Sequence, residues 1–374
     1  MTIVVILLGA FLINYLLDAC FRSFWSKNLT VQVRFQDQPA MEGQEARLTE
    51  TIANGKRLFL PLLQVGFQVH RDLWFSDGEN TSVSDQCYKR DVFSVGGYQK
   101  ITRTIPFRCT HRGYYELEKV ELVTRSPLMT RKYYETLESR DFFYVYPRLV
   151  DSEQLDISFQ KVMGSVLASR NLYEDPFEFR GIREYGPADP MNKINWKAAA
   201  RTGELMVNLY GSTTAQEVMI LLDVEDETIW KYDEIHEEEI RIAASLASRC
   251  IQEGIPVGFR TNGKDIRNGR TFVLKAGCGE QQVRLVSEGL ARLDLNQKAD
   301  PMEFVLDRER EMGTGTSTTY VMISKNQRPS CVEAFLRLAR EGSGCIWIAT
   351  LYAEMEWKLP REEQIRWIRW EVEK

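Results

Sequence analysis

Histidine is scarce: the chain of 374 residues holds three, His70, His111 and His236. So few imidazoles leave little material for a histidine zinc site or a Ser-His-Asp arrangement. His236 opens the run HEEEI, but a metalloprotease helix needs a second histidine four residues on, and that position is Ile240. Cysteine offers no framework either. The seven cysteines (Cys20, Cys87, Cys109, Cys250, Cys278, Cys331 and Cys345) are odd in number and never form a C-x-x-C pair. Neither a disulfide scaffold nor a zinc ribbon is expected, and they read as reduced core residues in a cytosolic setting. Positive charge is not in excess: 48 Lys and Arg stand against 53 Asp and Glu, a formal net charge of −5. A chain without a basic field is not expected to bind nucleic acid. The Gly-rich run MGTGTS at 312–317 lacks the lysine of a phosphate loop and reads as a turn rather than a nucleotide cradle. No assembled catalytic constellation is visible.

What is present is ordinary globular composition, 44% hydrophobic and 27% charged, with length enough for two domains. The one departure is the start, TIVVILLGAFLINYLLDACFRSFW, where Asn14 is the only strongly polar residue from Ile3 to Leu17. With Asp18 tolerated, the segment approaches the roughly 20 residues that cross a bilayer as a helix. A secretory signal peptide is the rival, but it should open with basic residues and end in a small-x-small cleavage site, and neither is seen. Residues 1–27 are therefore expected to be a single-pass cell-membrane anchor. Positive charge follows the span, at Arg22 and Lys27, which predicts a cytoplasmic location for the folded domains. Asn14 and Asp18, four apart, could bond a partner helix, or Asp18 could sit at the membrane interface.

Residues 28–150 carry strand periodicity. Runs such as VQVRF, EARLTETI, LLQVGFQVH and FFYVYP are separated by turn pairs Asn54-Gly55, Asp77-Gly78 and Gly96-Gly97, a spacing that suggests an Ig-like β-sandwich. In a cytoplasmic domain the sequons at Asn28 and Asn80 would be chance matches. The pattern breaks around Pro176, so 151–180 is read as a linker with some helix. Beyond 215 strands and helices alternate: EVMILLDV, the helical DEIHEEEIRIAASLASRCIQEG, IPVGFRT, TTYVMIS, CVEAFLRLAREG and CIWIATLY. That alternation predicts a parallel, Rossmann-like sheet covered by helices, with ligands expected outside the carboxyl ends of its strands.

Between these regions lies GIREYGPADPMNKINWKAAARTGELMVNLYG, residues 181–211. Asp189 before Pro190 predicts a capped helix over 190–201, stopped by Gly203, with Trp196, Ile194 and Ala198 packed inward and Lys193, Lys197 and Arg201 forming a basic stripe. The segment reads either as a structural clasp, with Arg183 and Asp189 bonded to each other, or as a partner-binding face.

The run resembles the signature of the bacterial family called domain of unknown function 58, through Arg183, Tyr185, Asp189, Ile194, Trp196, Lys197, Ala200, Arg201 and Leu205. It departs at Ala188, where glycine is usual, and family members usually begin with two membrane helices where this chain shows one. The resemblance implies a von Willebrand factor A-like α/β domain over 181–374. It also implies a noncatalytic interaction or scaffold protein working with a MoxR-type AAA+ ATPase. An A-type metal site uses D-x-S-x-S, whereas here Asp223, Glu225 and Glu227 occupy those positions, so no cofactor is expected. Mg²⁺ or Ca²⁺ at this degenerate site, supporting a metal-dependent hydrolase built on Asp223 and Glu225, is the alternative.

Overall fold

The computed structural model describes residues 2–75, 81–83, 86–129, 131–172, 175–187, 189–211, 216–226, 230–312, 318–340, 344–360 and 364–373. They form two compact units, Met1–Arg148 and Leu149–Lys374.

The first unit begins with helix α1, Thr2–Phe24, which contains no proline and a single glycine, Gly9. Its span Ile6–Phe24 is long and apolar enough to cross a membrane by length and composition, with a mean hydropathy of 1.4, and only 11% of it is buried, unlike a core helix. The end of α1 behaves differently. Phe21 is buried, and so is Trp25 just beyond it, both in the core of the β-structure. Asp18 accepts a 2.7 Å bond from the Tyr133 hydroxyl and lies 3.1 Å from the Arg131 guanidinium. Asp18 is thus committed to partners in its own domain, which corrects the expectation that it bonds a second membrane helix.

Two sheets complete this unit. One has four strands in the order Leu29–Phe35, Glu45–Asn54, Lys100–Cys109, Leu73–Trp74. The other has six, ordered Ala40–Met41, Lys132–Tyr146, Gly113–Arg125, Leu60–His70, Gln86–Val95, Thr81–Val83. Alternate residues point inward, as the period of two requires. In Glu45–Asn54 the inward set is Ala46, Leu48, Glu50, Ile52 and Asn54. Inward residues of both sheets share one apolar core, where Phe35 stacks on Phe143 at 4.9 Å and Phe107 meets both rings, so the arrangement is a β-sandwich. Among the charged side chains buried in this unit, Glu50, Lys89 and Asp91 are the most deeply buried of the described residues.

The second unit opens with helix α2, Glu153–Leu172, inside the stretch expected to be a linker. Leu155, Val162 and Val166 belong to the same buried cluster as the strands that follow, so this helix is part of the unit rather than a connection to it. Their 3.6-residue spacing was overshadowed by the loop signal at Pro176. The strand Asp175–Glu184 pairs with Met206–Gly211 as a two-stranded sheet.

A seven-stranded sheet forms the rest. Its order is Thr271–Gly277, Val257–Asp265, Glu217–Leu222, Thr318–Ile323, Gly344–Tyr352, Ile365–Val372, with the short Leu293–Asp294 added beside Val257–Asp265. All pairings are parallel except those of Thr271–Gly277 and Leu293–Asp294. The central strand feeds two cores. Helix α3 is Trp196–Thr202; Val218, Ile220 and Leu222 join α2, α4 (Asp233–Gln252) and α5 (Glu280–Ala291), while Met219 and Leu221 join α6 (Met302–Met312) and α7 (Pro329–Ala339). Helices on both faces explain why EVMILL is continuously apolar rather than alternating.

Candidate functional site

Residues 181–211 do not form one capped helix over 190–201. Pro190 is extended, Met191–Lys193 make a single 3₁₀ turn, and Ile194 is extended again and bridges Val207. The α-helix, α3, covers only Trp196–Thr202, and its cap is Asn195, whose side-chain oxygen accepts from the Ala198 amide at 2.9 Å. Gly203 ends it at φ 81°, a left-handed conformation suited to glycine, as the sequence predicts. The displaced start has two physical causes. Ile194 gains more by burial beside the strand Met206–Gly211 than by a helical turn. The Asp189 carboxylate is already engaged, since Arg183 grips it with two bonds of 2.7 and 2.6 Å and the Gly186 amide adds one of 2.8 Å. The Arg183 guanidinium, with that amide, holds the Asp189 carboxyl below its usual range.

Arg183 and Asp189 therefore act as a clasp across the loop between them. Tyr185 extends the ladder, its amide donating to Leu205 at 2.8 Å, and its side chain is half-buried. Trp196 is not the inward anchor expected: it is 66% exposed, because a helix starting at 196 turns its first side chain away from the strand that Ile194 covers. Lys193 lies in the 3₁₀ turn and is half-buried, so only Lys197 and Arg201 remain as an exposed pair one turn apart on α3. Two stabilities should separate accordingly. Asn195→Ala is expected to destabilise by about 1 kcal/mol through loss of the cap. Trp196→Ala should stay within about 0.5 kcal/mol, as exposed positions do. Thermal unfolding checks both, and a large loss for the tryptophan change would contradict its exposed position.

The second cluster lies at the carboxyl ends of the parallel strands. Asp223 follows the central strand and is fully buried. Its oxygens accept from Asn262 at 2.6 Å, the Glu225 amide at 3.0 Å and the Ser324 hydroxyl at 2.8 Å. Glu225 is paired with Arg328, which also lies 3.6 Å from Glu303. Burial raises the Glu225 carboxyl, against the pull of Arg328. Lys325 donates to the Glu225 carbonyl at 2.9 Å and meets Asp226 at 2.9 Å. Glu227 lies outside the described residues.

From Asp226 the network continues inward. His236 Nε2 is 3.1 Å from Asp226, its Nδ1 is 2.7 Å from Glu239, and Glu239 in turn accepts from the Thr350 hydroxyl. Both imidazole nitrogens face carboxylates, which only accept, so the ring must donate twice and is the cation. Burial alone would lower the His236 pKa. Glu239 first, and then Asp226, outweigh it and raise the value to about 9. Burial likewise pushes Asp226 up, but the bonds from His236 and Lys325 prevail and bring it down to about 2.

Three protein cations thus stand among the strand-end carboxylates. Among the described residues no three His, Cys, Asp or Glu groups are arranged to hold a metal ion. A hydrolase using Asp223 and Glu225 would have to strip away Asn262, Ser324 and Arg328 first. Reading along the chain isolates Asp223 and Glu225 but misses Asn262, Ser324, Lys325, His236, Glu239 and Thr350. The available signal is positional: Ser324 and Lys325 directly follow a parallel strand, while Asn262 and Thr350 sit in the later halves of two others.

Among solved structures, the chain is similar to the CARDB domain of the PF1109 protein from Pyrococcus furiosus, at 16% identity over 31% of this chain and 84% of that one, with a TM-score of 0.20. It is similar to a non-cellulosomal cohesin from Archaeoglobus fulgidus, at 12% identity over 35% and 97%, TM-score 0.20. A PapD-like domain of human CEP192 gives 10% identity over 34% and 89%, TM-score 0.21. These scores carry no argument about function. No curated protein matches the chain in sequence. The clasp, α3 and the strand-end loop after Asp223 all fall within residues 181–304, and it is this stretch of the chain that matches the family described as "Protein of unknown function DUF58".

Proposed function

We propose that the protein is a membrane-anchored, noncatalytic interaction or scaffold protein whose second unit is a von Willebrand factor A-like domain and whose partner is a MoxR-type AAA+ ATPase. Support for the domain reading comes from the sheet order, with the first strand of the sheet in the centre, its third strand antiparallel at one edge, and an acidic loop at the carboxyl end of the first. The noncatalytic reading is supported by Asp223, Glu225 and Asp226, the described strand-end carboxylates, which are held by protein donors rather than presented to a substrate.

The observation that carries the binding proposal is the exposed face of the family signature. Trp196, Lys197 and Arg201 are all exposed on α3, and Met191 is exposed in the turn that precedes it. A large exposed aromatic and two exposed cations on one short helix are the composition of a protein-binding hot spot, and the cations favour an acidic partner. Since basic residues follow the membrane span, the binding unit is assigned to the cytoplasmic side.

One experiment tests partner, face and orientation together. A MoxR-type ATPase is expected to bind membrane vesicles carrying the full chain when they are inverted, exposing the cytoplasmic face, and not when they are right-side-out. Trp196→Ala combined with Lys197→Glu should weaken this capture at least tenfold with little change in melting. No capture by the unaltered chain in either orientation would remove the ATPase from the proposal, and undiminished capture by the double variant would remove the face.

A further inference from the structure

The last two turns of α1 are fixed at two levels against Arg131 and the start of the strand Lys132–Tyr146. The Phe21 ring lies 6.0 Å from that of Tyr133, and Asp18 pairs with Arg131. Moving from Phe21 to Asp18 along the helix corresponds to moving from Tyr133 to Arg131 along the chain, so the hairpin tip beyond Arg131 points the same way as the exposed apolar part of α1. That tip is Leu128-Met129, and its two side chains are 57% and 52% exposed. Its shape is set by main-chain bonds from Met129 to Ser126 (2.8 Å) and from Ser126 to Arg131 (2.9 Å).

Other loops gather at this end of the sandwich. Strand pairing places Thr124 beside Leu63 and Val95 beside Leu60. Bonds from Gly55 to Asn28 (2.8 Å), Tyr98 to Lys56 (3.0 Å) and the Lys56 ammonium to Lys27 (2.7 Å) tie the remaining turns to the exit of α1. These turns expose two more large side chains, Phe59 and Tyr98, and the cations Lys27 and Arg57. Apolar tips flanked by cations are the composition of a surface that lies in a bilayer interface, the rings and aliphatic groups at acyl level and the cations at the phosphates.

We infer that the α1 end of the β-sandwich is itself a membrane-binding surface, with Leu128 and Met129 seated in the same leaflet that receives the end of α1. The inference rests on α1 being a membrane anchor, and the test separates the two. The full chain, with the exposed Cys20 and Cys278 changed to serine, is reconstituted in vesicles of phosphatidylcholine and phosphatidylglycerol. It carries a nitroxide at Leu8→Cys, Leu128→Cys or Glu45→Cys, the last at the opposite end of its strand. Dissolved oxygen, which concentrates in lipid, is expected to relax the labels at 8 and 128 several-fold more than a water-soluble nickel chelate does, with the reverse at 45. A lipid signal at 8 with an aqueous one at 128 overturns the inference and leaves the anchor standing. Aqueous signals at both overturn the anchor and the inference with it.

Discussion

Replacing His236 by alanine is expected to destabilise the second unit by about 3 to 5 kcal/mol, the range for removing one partner from a buried ion pair. The loss arises because Glu239 and Asp226 both depend on this imidazolium, and Glu239 is buried with only Thr350, among the described residues, left as an alternative donor. The pH dependence identifies the cause. The folded pKa of about 9 lies above the usual 6.5, so the stabilisation is complete below pH 6.5 and is lost as pH rises through 9. Between those limits the unaltered chain should lose roughly 3 kcal/mol from this group, at about 1.36 kcal/mol per pH unit. Chemical unfolding of the second unit at pH 6.5 and 9.5 measures the difference, and His236→Ala should flatten it. Equal slopes in the two proteins would mean that the ring is neutral in the fold and that Glu239 takes its charge balance elsewhere.

Glu50→Gln should act in the opposite direction, stabilising the first unit by roughly 3 kcal/mol at pH 8 and scarcely at all at pH 4.5. Glu50 is buried between the sheets, and neither carboxylate oxygen has a hydrogen-bond partner among the described residues. Burial, reinforced by Asp91 and opposed by Arg103 and Lys89, raises its pKa from the usual 4.5 to about 7. A carboxyl with a raised pKa folds most favourably when protonated. Its contribution is therefore intact below pH 4.5 and fades as pH climbs through 7. Glutamine keeps the shape and removes the titration. If the variant is less stable than the parent at pH 8, the carboxylate is charged and supported by Lys89 and Arg103, and the argument from burial fails.

The architecture was largely legible because it rests on local periodicity. The period-two runs before 150 specify strands whatever lies opposite them, and the apolar run EVMILL requires cover on both faces. The mistakes came where a residue had two local futures and a distant one decided. Asp189 before Pro190 is a sound helix start in isolation, but Arg183 takes the carboxylate and Val207 draws Ile194 into a bridge, so Asn195 becomes the cap. Trp196 then faces solvent instead of the core, through a shift in helix start that no propensity encodes.

The sequence by itself determined the apolar span of α1, the strand and helix periods, the left-handed stop at Gly203 and the absence of the serines that an A-type metal motif requires, because each depends on residues a few positions apart. Only the tertiary structure decided that α2 belongs to the second core, that Asp18 serves Arg131 and Tyr133, and that Lys325, His236 and Arg328 neutralise Glu225, Asp226 and Glu239. Those partners lie up to 115 residues apart along the chain, as between Asp18 and Tyr133. A buried charge takes whichever opposite charge the fold brings within reach, and that choice is made by topology rather than by spacing along the chain.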